Sequence, residues 1–145
     1  MKIGKFLFVG VVAVAGAAFA AEATDPTAKA RQELMDMIGG QAKILGEMAG
    51  GKTPYDAAAA EAAKTALIAA ATDIPVKFET AGPGDPKSTA KPEIWTNWDD
   101  FMKDANALKA AAEAMDVSSV ETIGAGMGAV GGTCKECHTE YRVAN

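Results

Sequence analysis

The chain has 145 residues, of which 49% are hydrophobic and 23% charged, and it carries a formal net charge of −5. An acidic chain of this kind argues against binding to nucleic acid or to anionic membranes, and would suit a basic protein partner. Its length is enough for one compact domain with a modest core.

The first twenty residues have the layout of a secretory signal peptide. Lys2 and Lys5 precede an apolar run, and Ala18-Phe19-Ala20 provides a small-residue cleavage site. The apolar run is short for a membrane span of about 20 residues. We therefore predict that residues 1–20 are cleaved and that the mature domain, 21–145, is a bacterial periplasmic protein with no stable membrane insertion. Its net charge becomes −7, because the two lysines are the only charged residues removed.

Four helices are predicted in the mature chain, which has no stretch of alternating polar and apolar residues. The first begins at Asp25-Pro26, an N-cap residue followed by proline, and ends before Gly50-Gly51. The second begins at Thr53-Pro54 and ends at Ile74, because Pro75 stops it. A long irregular segment, 77–91, follows; such loops are either functional or cross between distant helix ends.

The third and fourth helices each present a continuous apolar face. The third begins near Pro92-Glu93, and the fourth begins at a capping box, Ser118-x-x-Glu121. Four amphipathic helices with mostly short connections predict an all-α fold, an antiparallel four-helix bundle whose core is a usual place for a cofactor. The apolar face of the fourth helix consists of Val120, Ile123, Met127, Val130, Cys134, Cys137 and Tyr141.

The segment Cys134-Lys135-Glu136-Cys137-His138 is the C-x-x-C-H pattern of covalent haem attachment. Residues three and four apart share a helix face, so both sulfurs can form thioethers with the haem vinyl groups and His138 can be the proximal iron ligand. Three alternatives compete. A thiol–disulfide site normally begins a helix after a strand, a zinc site needs four ligands, and a simple disulfide leaves the histidine unexplained. We predict one covalent haem c with its iron.

The sixth iron position cannot be a second imidazole, because His138 is the only histidine. Methionine, an exogenous ligand, water or an open site remain. Methionine raises the reduction potential and favours electron transfer, whereas an open apolar site favours binding of a small gas.

Taken in order, these motifs resemble the cytochrome c′ family, the class II c-type cytochromes. The resemblance covers essentially the whole mature chain. It rests on C-x-x-C-H followed by Thr139-Glu140-Tyr141-Arg142, on Arg31-Gln32, on Pro54-Tyr55-Asp56-Ala57-Ala58, on Gly82-Pro83-Gly84 and on Pro92-Glu93-Ile94-Trp95.

The resemblance also implies further site residues. The family's distal position, four residues after the first-helix arginine, holds Met35 here, so the chain resembles the low-spin branch in which a methionine binds iron. Arg31, Gln32 and Thr89 are the implied contacts of the haem propionates and edge. The structural alternatives are that Met35 only fills space in the core and that Arg31 is an ordinary surface residue. Met37 is a weaker candidate ligand.

We therefore predict a one-electron carrier that exchanges electrons with redox partner proteins. The alternative is a five-coordinate cytochrome c′ that binds NO or CO. We expect no enzymatic activity and no catalytic residues, since the sequence has no evident nucleophile–base pair or phosphate loop. Members of this class often pair through the first two helices, so a homodimer is compatible with the resemblance.

Overall fold

The computed structural model describes residues 22–144, and the predicted signal peptide lies outside this range. The helices of this range are α1 (Pro26–Ala49), α2 (Ala57–Phe78), α3 (Glu93–Thr96), α4 (Trp98–Ala114) and α5 (Val120–Tyr141). Helix α1 packs against α2, α2 against α4, α4 against α5 and α5 against α1, which closes a ring of four long helices. This confirms the four-helix bundle. None of the helices in the described range has the length and apolar character that a membrane span requires.

Helix α1 begins where its sequence predicts, because the Asp25 side chain accepts a hydrogen bond from the Ala28 N–H at 2.9 Å. The prediction for α2 was wrong at both ends. Its N-cap is Asp56, which accepts from the Ala59 N–H at 2.7 Å and leaves the Thr53-Pro54 pair outside the helix.

Pro75 lies inside α2, although the sequence predicts that it ends the helix. The helix continues for three more residues to Phe78, whose ring is buried and whose carbonyl accepts a hydrogen bond from Trp95 Nε1 at 2.8 Å. These tertiary contacts hold the last turn in place despite the backbone donor that proline lacks.

The predicted third helix is divided in two at Asn97, whose backbone is not helical (φ −119°, ψ 42°). Asp99 and Asp100 then lie in the first turn of α4, where negative charge is favourable. The capping box of α5 was predicted one residue too early. It joins Ser119 and Thr122, because Ser118 is held in the preceding turn by Asp116.

A cluster of aromatic rings packs against α5 three residues beyond His138. The Phe101 ring centroid lies 5.2 Å from that of Phe78, 5.6 Å from that of Trp98 and 5.4 Å from that of Tyr141. The Tyr141 hydroxyl donates to Asp100 Oδ2 at 2.9 Å, and burial together with this carboxylate raises the pKa of Tyr141 to about 12. Tyr141 therefore remains a protonated donor that ties α5 to α4.

The long loop between α2 and α3 is fastened to the start of α1 by the Asp85 carboxylate. It accepts hydrogen bonds from the Thr24 N–H at 2.7 Å, the Thr24 hydroxyl at 3.0 Å and the N–H groups of Asp25 and Lys87 at 2.8 Å each. These donors, the backbone N–H groups of Asp25 and Lys87 above all, hold the pKa of Asp85 well below its usual range.

Replacing Asp85 by alanine is expected to destabilise the fold at neutral pH and to matter less in acid. The native pKa lies below the unfolded value of about 3.9, so ionised Asp85 stabilises the fold fully above that value and progressively less as the pH falls toward the native pKa. Urea unfolding at pH 7, 4 and 3 checks this. A gap in unfolding free energy that stays constant in acid would contradict it, and Asp73→Ala, at an exposed carboxylate on α2, is the matched control.

Gly126→Ala is expected to destabilise the protein by about 1–3 kcal/mol. A Cβ at this position of α5 would overlap the first atoms of the Met115 side chain, which cannot move away without shifting the Met115 backbone. The matched control is Gly132→Ala on the same helix, where no atom lies within 4 Å of an added Cβ. That change should stabilise by about 0.5–1 kcal/mol through the helix preference for alanine. Chemical unfolding of both variants checks the pair, and equal effects would refute the packing argument.

Candidate haem site

Both cysteines lie on the core-facing side of the last two turns of α5. Cys134 and Cys137 are free thiols, partly buried and packed against the core, as their place on the apolar face predicts. Burial raises the pKa of Cys134, and burial with Asp104 and Cys134 nearby raises that of Cys137 to about 12. Thiol–disulfide exchange requires a thiolate of low pKa, so these neutral thiols do not fit that alternative.

His138 follows the second thiol directly and lies at the end of the same helical face. Its pKa is lowered, first by burial and then by the charge of Arg142 one turn further on. Its carbonyl accepts a hydrogen bond from the Arg142 N–H at 3.2 Å. A neutral imidazole is the form that binds a metal, so the surroundings favour the ligating state.

Far from the cysteines, near the end of α1 and the start of α5, small residues bring these two antiparallel helices close together. A Cβ on Gly46 would lie 3.9 Å from Met127 Cε, and a Cβ on Gly124 would lie 4.0 Å from the Ala49 Cβ. Three residues forward on α1 thus correspond to three residues back on α5, as in an antiparallel pair. This register fixes which residues lie level with one another along the two helices.

Extended along both helices, the register places Met35 level with His138. Eleven residues back from Gly46 leads to Met35, and eleven residues forward from Met127 leads to His138. Both helices rise about 1.5 Å per residue, so the two positions remain level. Spacings of seven and four residues also place Met35, Ala42 and Gly46 on one side of α1, the side that faces α5.

Two exposed glycines, one on each helix, lie near these positions without a side chain packed over them. A Cβ added to Gly39 on α1, or to Gly131 on α5, would meet no atom within 4 Å. Gly39 lies level with Cys134 in the same register, and Gly131 precedes Cys134 by one helical turn. Two thiols, an imidazole and bare backbone opposite them fit a flat group attached to α5, as a haem would be.

The structure distinguishes the two candidate ligand methionines of the first helix. Met35 is partly buried and packs against the core, whereas the Met37 side chain is 53% exposed. Only Met35 lies on the side of α1 that faces α5. Iron ligation by Met35 stays a prediction, and the register supports it.

Arg31 is buried rather than an ordinary surface residue, since its side chain is only 4% exposed. Its guanidinium donates to the carbonyls of Thr80 and Ala81 at 3.0–3.2 Å and lies 5.1 Å from the Trp95 ring centroid and 5.5 Å from that of Phe78. Its Nε is buried without a hydrogen-bond partner in the described part of the chain. This N–H is a donor available to a carboxylate such as a haem propionate.

Gln32 and Thr89 have backbone partners at the same end of the bundle. The Gln32 side chain accepts from the Ala23 N–H at 2.8 Å and donates to the Lys87 carbonyl at 3.2 Å. The Thr89 carbonyl accepts from the Val143 N–H at 2.8 Å. Haem contacts by Arg31, Gln32 and Thr89 remain predictions.

Lys91, which was not predicted from the sequence, contacts the end of α5 with its side chain. Its ammonium donates to the carbonyls of Thr139 at 3.2 Å and Glu140 at 2.9 Å. No local motif marks it, because these partners lie 48 and 49 residues away in the sequence. Only the helix end itself, which needs partners for its last carbonyls, could have indicated that such a residue exists.

A helical bundle whose last helix turns two neutral, partly buried thiols toward the core and carries an imidazole directly after them has the form of a bundle-type c-type cytochrome. The model of the family described as cytochrome C′ matches residues 26–142. The chain belongs to the cytochrome c′ family. Its cofactor is a covalently bound haem c, and the alternatives of a zinc site, a thiol–disulfide site and a simple disulfide are set aside.

Named relatives and solved structures of this family are similar to this protein over most of its length. It is 36% identical to cytochrome c-556 of Agrobacterium tumefaciens over 121 residues, 81% of this chain and 94% of that one. It is 33% identical to the structure of cytochrome c′ from Rhodobacter sphaeroides, with a TM-score of 0.74 over 82% of this chain and 96% of that one. A nitric oxide complex of a cytochrome c′ variant from Alcaligenes xylosoxidans is 27% identical, with a TM-score of 0.70 over 81% and 94%.

Proposed function

We propose that this cytochrome is a periplasmic one-electron carrier whose haem iron is bound by His138 and Met35. The observation that carries the proposal is the register of α1 against α5, in which Met35 lies level with His138 on the side of α1 that faces it. The bound haem supplies a one-electron couple. Two protein ligands kept in both redox states would make reorganisation small on electron transfer, which suits a carrier.

The remaining residues hold and enclose the cofactor. Cys134 and Cys137 attach it to α5 through their sulfurs, which are protonated before attachment. Arg31, Gln32 and Thr89 contact its propionates and edge, and the buried Nε of Arg31, which has no partner in the described chain, is one donor for that contact. No residue is assigned a catalytic role, and the cytochrome transfers electrons without turning over a substrate.

The proposed location and partners rest on the signal-peptide pattern of residues 1–20 and on the acidic charge. Removal of residues 1–20 on export would leave a protein of net charge −7. Such a surface favours a basic redox partner, because opposite charges steer the encounter. Pairing of two copies through α1 and α2 is compatible with this assignment.

The absorption spectrum of the reduced native protein tests the ligation. Two strong axial ligands give a low-spin haem, for which we expect sharp α and β bands. A broad high-spin Soret band without these features would contradict ligation by Met35. The same spectrum would leave covalent attachment at Cys134 and Cys137 untouched, so the two parts of the proposal can fail separately.

The second candidate function is binding of nitric oxide or carbon monoxide at a five-coordinate iron. It is favoured by the likeness to the Alcaligenes xylosoxidans structure, which has nitric oxide bound. In that case Met35 would only fill space beside the iron. The two functions predict opposite responses of gas uptake to loss of the Met35 side chain.

A further inference from the structure

His138 lies in the last turn of α5. Of the four carbonyl groups that end this helix, only that of His138 is bound by the N–H of the residue directly after the helix. The His138 carbonyl accepts from the Arg142 N–H at 3.2 Å. The carbonyls of Thr139 and Glu140 accept from the Lys91 ammonium, and that of Tyr141 accepts from the Lys91 N–H at 2.9 Å. A helix end normally leaves four such carbonyls unsatisfied, and here one residue of a distant loop binds three of them.

The same loop also fixes the chain immediately beyond the helix. Ala90 pairs with Arg142 in an antiparallel bridge, and the Val143 N–H donates to the Thr89 carbonyl at 2.8 Å. The segment 89–91 is thus held in register with the residues that follow α5. Lys91 is partly buried as a residue, and two hydrogen bonds in a solvent-exposed contact hold its ammonium at the end of α5.

The Lys91 charge is also well placed electrostatically. The carboxyl end of a helix has a partial negative charge, and a cation there stabilises the last turn. His138 lies in that turn, so its ring orientation depends on the turn staying formed. A fixed positive charge near a haem iron also favours the ferrous state, which carries one positive charge less than the ferric state.

We infer that Lys91 is a positioning residue for His138, holding the last turn of α5 in place and raising the reduction potential of the haem iron by its charge. The inference rests on the proposed ligation of iron by His138. It goes beyond that ligation by assigning both effects to one side chain from another part of the chain.

Three substitutions separate the hydrogen bonds from the charge. Lys91→Met removes both, Lys91→Gln keeps N–H donors without charge, and Lys91→Arg keeps donors and charge. All three retain the backbone N–H that binds the Tyr141 carbonyl. Lys87→Met, at an exposed lysine of the same loop, is the control for loss of a positive charge in general.

The experiment is a redox titration of each purified haem-bound variant, with the hyperfine-shifted proton NMR signals of His138 as a second measurement. At a fixed potential we expect Lys91→Met and Lys91→Gln to lower the ratio of ferrous to ferric haem by about threefold, the size of a screened interaction between charges near a surface. Lys91→Met should also move or broaden the His138 signals. Lys91→Arg should restore both measurements.

Several results would overturn the inference. One is a Lys91→Met protein that loses stability while its potential and His138 signals stay native, since this would make Lys91 a helix cap alone. Another is an equal shift in Lys87→Met. If Lys91→Met fails to fold, equal potentials for Lys91→Gln and Lys91→Arg would refute the role of the charge. A His138→Gly variant with a native spectrum would instead refute the proposed ligation, which separates the two failures.

Discussion

A variant in which Cys134 and Cys137 are both replaced by serine is expected to lose all covalently bound haem. The chain has only these two cysteines, and a serine hydroxyl cannot take the place of the sulfur in a thioether with a haem vinyl group. After denaturation and extraction with acidified acetone, the haem should leave the variant completely and remain with the native chain. Haem that stays with the denatured double variant would contradict attachment at these residues.

Two further variants sharpen this result. Lys135→Ala, at the exposed residue after the first cysteine, is the matched control and should retain its haem in full. Cys134→Ser alone should keep one thioether, which the reduced pyridine adduct would report as an α band between those of free haem and native protein. Together they separate loss of a sulfur from general damage to the last turns of α5.

The variant with both cysteines replaced by serine should also be less stable than the native cytochrome. Helix α5 contains five glycines, each costing about 0.5–1 kcal/mol relative to alanine in a helix. Gly126 has a packing reason in Met115, but an added Cβ at Gly128, Gly131 or Gly132 would meet no atom of the described chain. A cofactor that binds only the folded state offsets such a cost, so its loss should lower the free energy of unfolding.

The haem motif could be predicted from the sequence because its chemistry is local. Five consecutive residues, 134–138, contain both thiols and the imidazole, and helical periodicity alone places them on one face. The start of α1 was equally accessible, since Asp25 and Pro26 are adjacent. Where two local choices competed, the prediction failed, because Thr53 and Asp56 are both good N-caps, as are Ser118 and Ser119. The helix begins at the later residue in each case, and Ser118 is instead held by Asp116.

Hydrogen bonds between residues far apart in the sequence explain the other differences between prediction and structure. Pro75 does not end α2, because Trp95 holds the carbonyl of Phe78 from a different helix. Arg31 resembles a surface residue in the sequence, but its carbonyl partners lie 49 and 50 residues away. Lys91 is hidden for the same reason. A periodicity or a motif cannot report a hydrogen bond between segments that only the folded chain brings together.

Met35→Ala is expected to convert the haem from low spin to high spin and to increase the uptake of carbon monoxide by the ferrous protein. If Met35 binds iron, the gas can enter only when that bond is open. If the open form is populated below about 10%, removal of the ligand raises the apparent affinity at least about tenfold. Absorption spectra and flash-photolysis or stopped-flow measurements with carbon monoxide would check both effects.

Two control variants identify the cause of any change. Met37→Ala lies two residues further along α1 with an exposed side chain, and should leave spectrum and uptake unchanged. Met35→Leu keeps most of the side-chain volume but cannot bind iron, so it should give the same high-spin spectrum without an added cavity. Rapid uptake by the native protein that neither Met35 variant alters would instead establish the gas-binding function. The choice between the two proposed functions therefore depends on whether Met35, which lies level with His138 in the register of α1 against α5, binds the iron.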